Sequence, residues 1–165
     1  MITGSVAAAY HGAGRATMDV DAVIDPTPSQ LMDLVQRLEG AGLYVSKDAA
    51  REALAHRTMF NAIDPETGWK ADLIVRKHRP FSDEEFGRQL STELLGQRVA
   101  VATLEDVILS KLEWATMGGS TRQLEDVRRL LAIAGDALDG AYIERWIEPL
   151  RVRRVWQSVR DEPAS

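Results

Sequence analysis

The fold turns on Gly4-Ser5-Val6-Ala7-Ala8-Ala9-Tyr10-His11-Gly12 and, after Ala13 and Gly14, on Arg15-Ala16-Thr17-Met18-Asp19-Val20-Asp21-Ala22-Val23-Ile24. The second half is a β-branched, apolar run with two carboxylates one residue apart. Strand side chains alternate with period two, so Asp19 and Asp21 fall on one face. Neighbouring carboxylates repel and are expensive to bury unpaired, and a divalent cation between them relieves both problems. The first half reads as a short helix opening at Gly4-Ser5, whose N-terminal N–H groups and glycine turn can receive phosphate oxygens. A cation site beside a phosphate site points to nucleotide chemistry. The same residues taken alone also suit an ordinary turn, an Ala-rich core helix and two surface aspartates on an edge strand.

Outward from this stretch, Thr27-Pro28-Ser29-Gln30 supplies an N-cap, a proline at the first helical position and a capping-box glutamine. Leu31, Leu34, Val35 and Leu38 then form one apolar stripe, and Gly40 and Gly42 mark the helix end. Leu43-Tyr44-Val45 reads as a short strand and Lys47 to Ala55 as a short helix. Thr58 to Ile63 and Trp69 to Val75 flank a turn-forming Asp64-Pro65-Glu66-Thr67-Gly68, which predicts a hairpin. Alternation sets Lys70, Asp72 and Ile74 on one face and Ala71, Leu73 and Val75 on the other, so Asp72 can face a site while its neighbours face a core.

Gly-Ser, then His-Gly, then Arg-x-Thr-x-Asp-x-Asp on a strand resembles the first motif of the polymerase-β-like nucleotidyltransferase superfamily. It is most similar to the small bacterial branch of abortive-infection (AbiEii-like) toxin nucleotidyltransferases. The likeness runs residue by residue from Gly4 to Asp21. It implies a third carboxylate on a later strand, for which Asp72 is the match. A second likeness lies in Leu104-Glu105-Asp106 through Lys111, followed by Arg122 to Asp126, which resembles a later motif of those toxins; Thr103 stands where they usually carry proline. The resemblance covers about residues 4–131. Only Met1-Ile2-Thr3 precede the loop where the family has a helix and part of a strand, which implies a trimmed first strand or a late annotated start.

The resemblance implies a metal-dependent enzyme moving a nucleoside monophosphate from an NTP to a hydroxyl. Asp19, Asp21 and Asp72 would be catalytic and would hold Mg²⁺ or Mn²⁺. Gly4, Ser5, Arg15, Thr17 and Lys111 would bind the nucleotide, with Arg15 and Thr17 also shaping the loop. The acceptor would be a tRNA end, a protein hydroxyl or a small molecule such as an aminoglycoside, the likeness leaning to the first two. A toxin would bring an antitoxin partner, and a homodimer is a further expectation. The alternative is a non-catalytic nucleotide-binding or partner-binding module of the same fold.

Downstream, Ser82-Asp83-Glu84-Glu85 has the form of a capping box and predicts a helix to about Leu95, stopped by Gly96, before a last strand from Gln97 to Ala102. Helices follow from Thr103 to about Met117, Thr121 to Ala134, Asp139 to about Leu150 and Val152 to Arg160. The expected fold is therefore α+β: a small mixed-sheet nucleotidyltransferase core over 1–102, a helical arm over 103–160 and a tail over 161–165. Lys111 falls within the apolar face made by Leu104, Val107, Ile108, Leu112 and Ala115. An inward lysine either snorkels to a wet edge or meets an anion in a cleft. With no partner expected in the ligand-free chain, Lys111→Met should leave stability unchanged or improved.

Composition narrows the function classes. At 165 residues, 45% hydrophobic and 27% charged, the chain suits one folded unit. A net charge of −5 offers no general basic surface for a polynucleotide, and Arg151, Arg153 and Arg154 read as a solvated face. The absence of cysteine removes disulfides and thiolate chemistry. No apolar run approaches membrane-spanning length and no secretory signal is present, so a cytoplasmic location is expected. His56 and His78 lack partners at metal-ligand spacing, and Trp69, Trp114, Trp146 and Trp156 read as core or interface residues.

Overall fold

A computed structural model describes residues 1–161. The first elements are β1 (Ile2–Thr3), α1 (Gly4–Tyr10), β2 (Asp19–Ile24), α2 (Pro28–Gly40), β3 (Tyr44–Val45), α3 (Lys47–His56), β4 (Met59–Ile63) and β5 (Lys70–Val75). After these come α4 (Pro80–Gly87), β6 (Leu90–Leu94), β7 (Gln97–Val101), α5 (Leu104–Gly118), α6 (Thr121–Ala134), a short 3₁₀ turn (Gly135–Ala137), α7 (Gly140–Ile147) and α8 (Arg153–Asp161). The strands form one seven-stranded mixed sheet in the order β3-β4-β5-β2-β1-β7-β6. The α+β fold expected from the sequence is the one observed.

The capping chemistry works as the residue types dictate at both long helices before and after the sheet. Thr27 accepts the Gln30 N–H while the Gln30 side chain accepts the Thr27 N–H, and Thr103 accepts the Asp106 N–H. Strands β2 and β5 pair in parallel, so the chain between them must cross over, and it does so through α2 and α3. Those helices bury Leu31, Val35, Ala50 and Ala53 against Phe60, Ala62, Leu73 and Val75 of the sheet. A second, larger cluster joins Ala7 and Ala8 of α1 and Val101 of β7 to Val107, Ile108, Leu112, Val127, Leu130, Ile143 and Trp156 of the later helices.

The helix expected from Ser82 to Leu95 is overturned. Pro80 at the first helical position starts α4 two residues earlier, with Arg79 in the extended conformation favoured before proline, and the helix ends at Gly87. Ser82 lies inside α4 and accepts from Arg79 Nε at 3.0 Å instead of capping. Leu90-Ser91-Thr92-Glu93-Leu94 is strand β6, paired antiparallel to β7, and Gly96 is part of a two-residue hairpin turn instead of a helix stop. At the C-terminal end, Asp161 belongs to α8, and residues 162–165 of the expected tail lie outside the described residues.

Both residues of the β6–β7 turn have positive φ, 51° at Leu95 and 75° at Gly96, as in the mirror-image turns that suit hairpin twist. Leucine is strained there, and its side chain is 95% exposed with no packing to compensate. Leu95→Asn, which creates the Asn-Gly pair such turns prefer, is expected to stabilise the protein by roughly 1 kcal/mol, raising the melting temperature by about 2–4 °C in a thermal melt.

Candidate active site

The sheet registers place four polar residues in one lateral row. Asn61 on β4 stands opposite Asp72 on β5, Asp72 opposite Asp21 on β2, and Asp21 opposite Thr3 on β1. Paired residues in register share a face, so the row runs across the sheet on the side away from α2 and α3. It opens into a cleft of about 520 Å³ whose lining includes Gly4, Ser5, Arg15, Thr17, Asp19, Asp21, Asp72 and Lys111. All eight residues singled out from the sequence thus border one space.

The row is electrostatically tense. Burial, and after it the Asp72 charge, pushes the Asp21 carboxyl above its usual range, while Lys111 and a hydrogen bond from the Ser5 N–H pull it back. Asp72 is 91% buried and accepts from the Asn61 amide and from Lys70 Nζ, the latter at 3.0 Å. Lys70 Nζ also lies 3.7 Å from Asp19 Oδ1. Thr3 Oγ1 is buried at the end of the row without a hydrogen-bond partner. The acidic oxygens on one face and the orphaned hydroxyl beside them are the oxygen donors a hard divalent cation takes, and the Lys70 ammonium drawn between two of the carboxylates stands where such a charge would otherwise compensate them. Among the described residues, however, no three such side chains are already gathered to hold one.

The loop beside the row is built around a close approach. Gly4 has φ +62°, and a Cβ there would fall 1.9 Å from Asp21 Oδ2. Only glycine lets the backbone lie against that carboxylate. Thr17 shapes the strand entry, its hydroxyl accepting the Asp19 N–H at 3.2 Å. His11 ends α1 and its Nε2 meets the Ala102 carbonyl at 2.8 Å, tying α1 to the chain beyond β7.

Arg15 and Lys111 meet on one acid. Arg15 Nη2 donates to Ser5 Oγ at 2.5 Å and its Nε to Asp126 Oδ2 at 3.2 Å, while Lys111 Nζ donates to the same Oδ2 at 2.8 Å and to Gln123 Oε1 at 3.0 Å. Neither snorkelling nor an anion alone accounts for Lys111, which is 2% exposed and already paired with a buried aspartate. Burial holds its ammonium below the usual lysine range, against the pull of Asp126. The expectation that Lys111→Met costs nothing is therefore reversed. That change leaves Asp126, 1% exposed and with Oδ1 already lacking a hydrogen bond, with the Arg15 guanidinium as its remaining hydrogen-bond donor, and should destabilise the fold by about 2 kcal/mol in denaturant titration.

Several residues of the cleft were not legible as such in the sequence. Asp126 lay four residues beyond Arg122 with no role attached, and Lys70 was placed on the Asp72 face without a function. Trp114 is 43% exposed and lines the cleft one helical turn after Lys111, and Trp69 is 47% exposed, so only Trp146 and Trp156 are core tryptophans. Glu85, read as a capping-box residue, is 6% exposed on the cleft wall and accepts from Ser110 at 2.9 Å.

Burial raises the Glu85 carboxyl from 4.5 to about 7, with the Ser110 hydrogen bond opposing and the Asp106 and Glu113 charges adding to it. The folded state therefore binds a proton that the unfolded chain has lost, and stability falls as pH rises from about 4.5 to about 7. The interval amounts to roughly 3 kcal/mol. Glu85→Gln, which can still accept from Ser110, should flatten that part of the curve. Melting temperatures measured from pH 4 to 8 should converge with wild type at the acid end and exceed it at pH 8.

No protein-family model and no curated protein matches the chain. Solved structures do. The antibiotic-resistance factor ANT(2'')-Ia, a solution structure, superposes with a TM-score of 0.61 at 15% identity, over 97% of this chain and 85% of that one. An antigenic nucleotidyltransferase-like protein from Paracoccidioides brasiliensis superposes with a TM-score of 0.54 at 17% identity, over 99% and 84%. At these identities the likeness is one of fold alone, shared with an antibiotic-resistance factor and a nucleotidyltransferase-like protein.

Proposed function

We propose that the chain is a nucleotidyltransferase that moves a nucleoside monophosphate from an NTP to a hydroxyl acceptor. The observation that carries this is the register pairing Asp21 with Asp72 on the cleft face, with Asp19 one step along the strand. Asp19, Asp21 and Asp72 would hold Mg²⁺ or Mn²⁺, which when bound neutralises the triphosphate and eases deprotonation of the acceptor. The Ser5 hydroxyl, with the Arg15 guanidinium beside it, would receive the outer phosphates, and Lys111 would add positive charge behind them. Thr17 and Gly4 hold that loop against Asp21. The acceptor oxygen bonds to the α-phosphorus, the bond from that phosphorus to the bridging oxygen breaks, pyrophosphate leaves, and the hydroxyl proton passes toward Asp72.

Among acceptors, a small molecule fits best. The net charge of −5 argues against a polynucleotide, and one structural neighbour is an antibiotic-resistance factor. Trp114 on the cleft wall offers a ring face to a compact, hydroxyl-bearing ligand, beside Glu113, whose two oxygens are held by Arg79. The toxin reading, with an antitoxin partner, rests on the sequence likeness to the abortive-infection branch. Among the described residues no helix is long and apolar enough to cross a membrane.

A second reading has its own support. Asp72 is already met by Asn61 and Lys70, as in a fold kept for binding without catalysis. Thermal shift separates the two from a misplaced site. Mg²⁺ with NTP should raise the melting temperature of the wild type by mass action, about 2.7 kcal/mol of stabilisation at a hundredfold excess over Kd. Asp21→Asn combined with Asp72→Asn should abolish the shift, and a shift surviving in that variant puts the site elsewhere. Labelled-NTP transfer to small hydroxyl compounds, RNA and protein then distinguishes an enzyme from a binding module.

A further inference from the structure

Lys70 precedes Asp72 by two residues on β5, and the parallel register sets it opposite Asp19 on β2. Period-two alternation puts its stem on the face that carries all three carboxylates. Its ammonium bonds Asp72 Oδ2 at 3.0 Å and stands 3.7 Å from Asp19 Oδ1, bridging the two strands. The other hydrogen bond to Asp72 comes from the Asn61 amide, which is neutral. Arg15 and Lys111, which line the same cleft, are both held by Asp126. Lys70 is thus the side chain that supplies positive charge directly to Asp72 in the free protein.

We propose that Lys70 is a positioning residue that acts as a built-in counter-ion, so that a divalent ion loads together with the triphosphate that draws the ammonium away. The inference rests on the nucleotidyltransferase reading. A divalent ion arriving alone must shed part of its hydration and break the Lys70 pairs with only carboxylates to gain. A triphosphate changes that balance, because its oxygens add ligands for the ion and offer the ammonium a new anionic partner. The side chain is one-third exposed on a flexible four-carbon stem, so it can swing from Asp72 toward the cleft without burying its charge. Ion and nucleotide then strengthen each other's binding by the same factor, as linkage requires. The arrangement also keeps Asp72 neutralised between turnovers.

The test is Mn²⁺ binding by isothermal titration calorimetry on the full chain, alone and with a non-hydrolysable NTP analogue, the heat of Mn²⁺ binding to the analogue by itself being measured separately and subtracted. Wild type is compared with Lys70→Gln, which keeps a hydrogen-bonding arm for Asp72, and Lys70→Arg, which keeps the charge; circular dichroism establishes that each is folded. Wild type should bind Mn²⁺ alone weakly and about tenfold more tightly with the analogue. Lys70→Gln should bind Mn²⁺ alone about tenfold more tightly than wild type, with most of the analogue's effect gone, and Lys70→Arg should behave as wild type. A purely structural role for Lys70 would not move metal affinity upward. If folded Lys70→Gln binds Mn²⁺ no more tightly than wild type while wild type still binds it with the analogue, the counter-ion role is overturned and the nucleotidyltransferase reading stands. If wild type binds no Mn²⁺ even with the analogue, both fall. If Lys70→Gln does not fold, the wild-type pair of titrations decides, since equal Mn²⁺ affinity with and without the analogue overturns the proposal.

Discussion

Parallel pairing of β2 with β5 sets two acidic side chains beside each other on one face of the sheet, and much of the cleft is arranged around keeping them there. Like charges at that spacing in a partly dry cleft raise the free energy of the folded chain unless positive charge or hydrogen-bond donors compensate. The compensation comes from several directions: Lys70 within the sheet, Asn61 from the next strand, the Ser5 N–H from the head of α1, and the field of Lys111 from α5. A fold selected for stability alone would place apolar residues in this row. Carboxylates placed where they must be compensated support the reading of this row as the proposed site, since ionisable groups in such surroundings gather where chemistry needs them.

The helical half contributes more than packing. Helix α5 forms one wall of the cleft with Ser110, Lys111, Glu113 and Trp114, while its other side fills the larger core with Val107, Ile108 and Leu112. Asp126 on α6 gathers Lys111 and Arg15, and Arg15 in turn reaches Ser5. A displacement of α6 would thus be felt at the loop that lies against Asp21. This chain of contacts gives a physical route between the helices and the row of carboxylates, made of charged groups too buried to be left unpaired.

Where expectation and structure part, the competing principle is identifiable. Ser82 to Glu85 has the spacing of a capping box, yet Pro80 fixes the helical φ two residues earlier and takes the start of α4 for itself. Ser91 and Thr92 then suit a strand better than a helix, and Leu95-Gly96 closes a hairpin through positive φ instead of ending a helix. Trp69 and Trp114 sit among apolar neighbours in sequence, but their positions on β5's approach and on α5's cleft side leave them exposed. Local pattern reports which residues share a face, not whether that face is covered.

The sequence by itself determined the elements that alternation and capping specify: α2 with its capping box, the β4–β5 hairpin, β2 with Asp19 and Asp21 on one side, and the run of helices from Thr103. It also placed Asp72 on the opposite face of its strand from Leu73 and Val75, because a period of two leaves no other choice. Only the tertiary structure decided that β5 lies beside β2 in a register that sets Asp72 against Asp21, that Asp126 and not a ligand alone answers Lys111, and that Lys70 stands between two of the acids. Apart from Lys70 with Asp72, neighbours on one face of one strand, these are contacts between residues 15 to 111 positions apart or across strands, for which the chain carries no local signal. They are fixed by which apolar faces bury against each other, and the charged groups then settle with whatever partners that packing brings within reach.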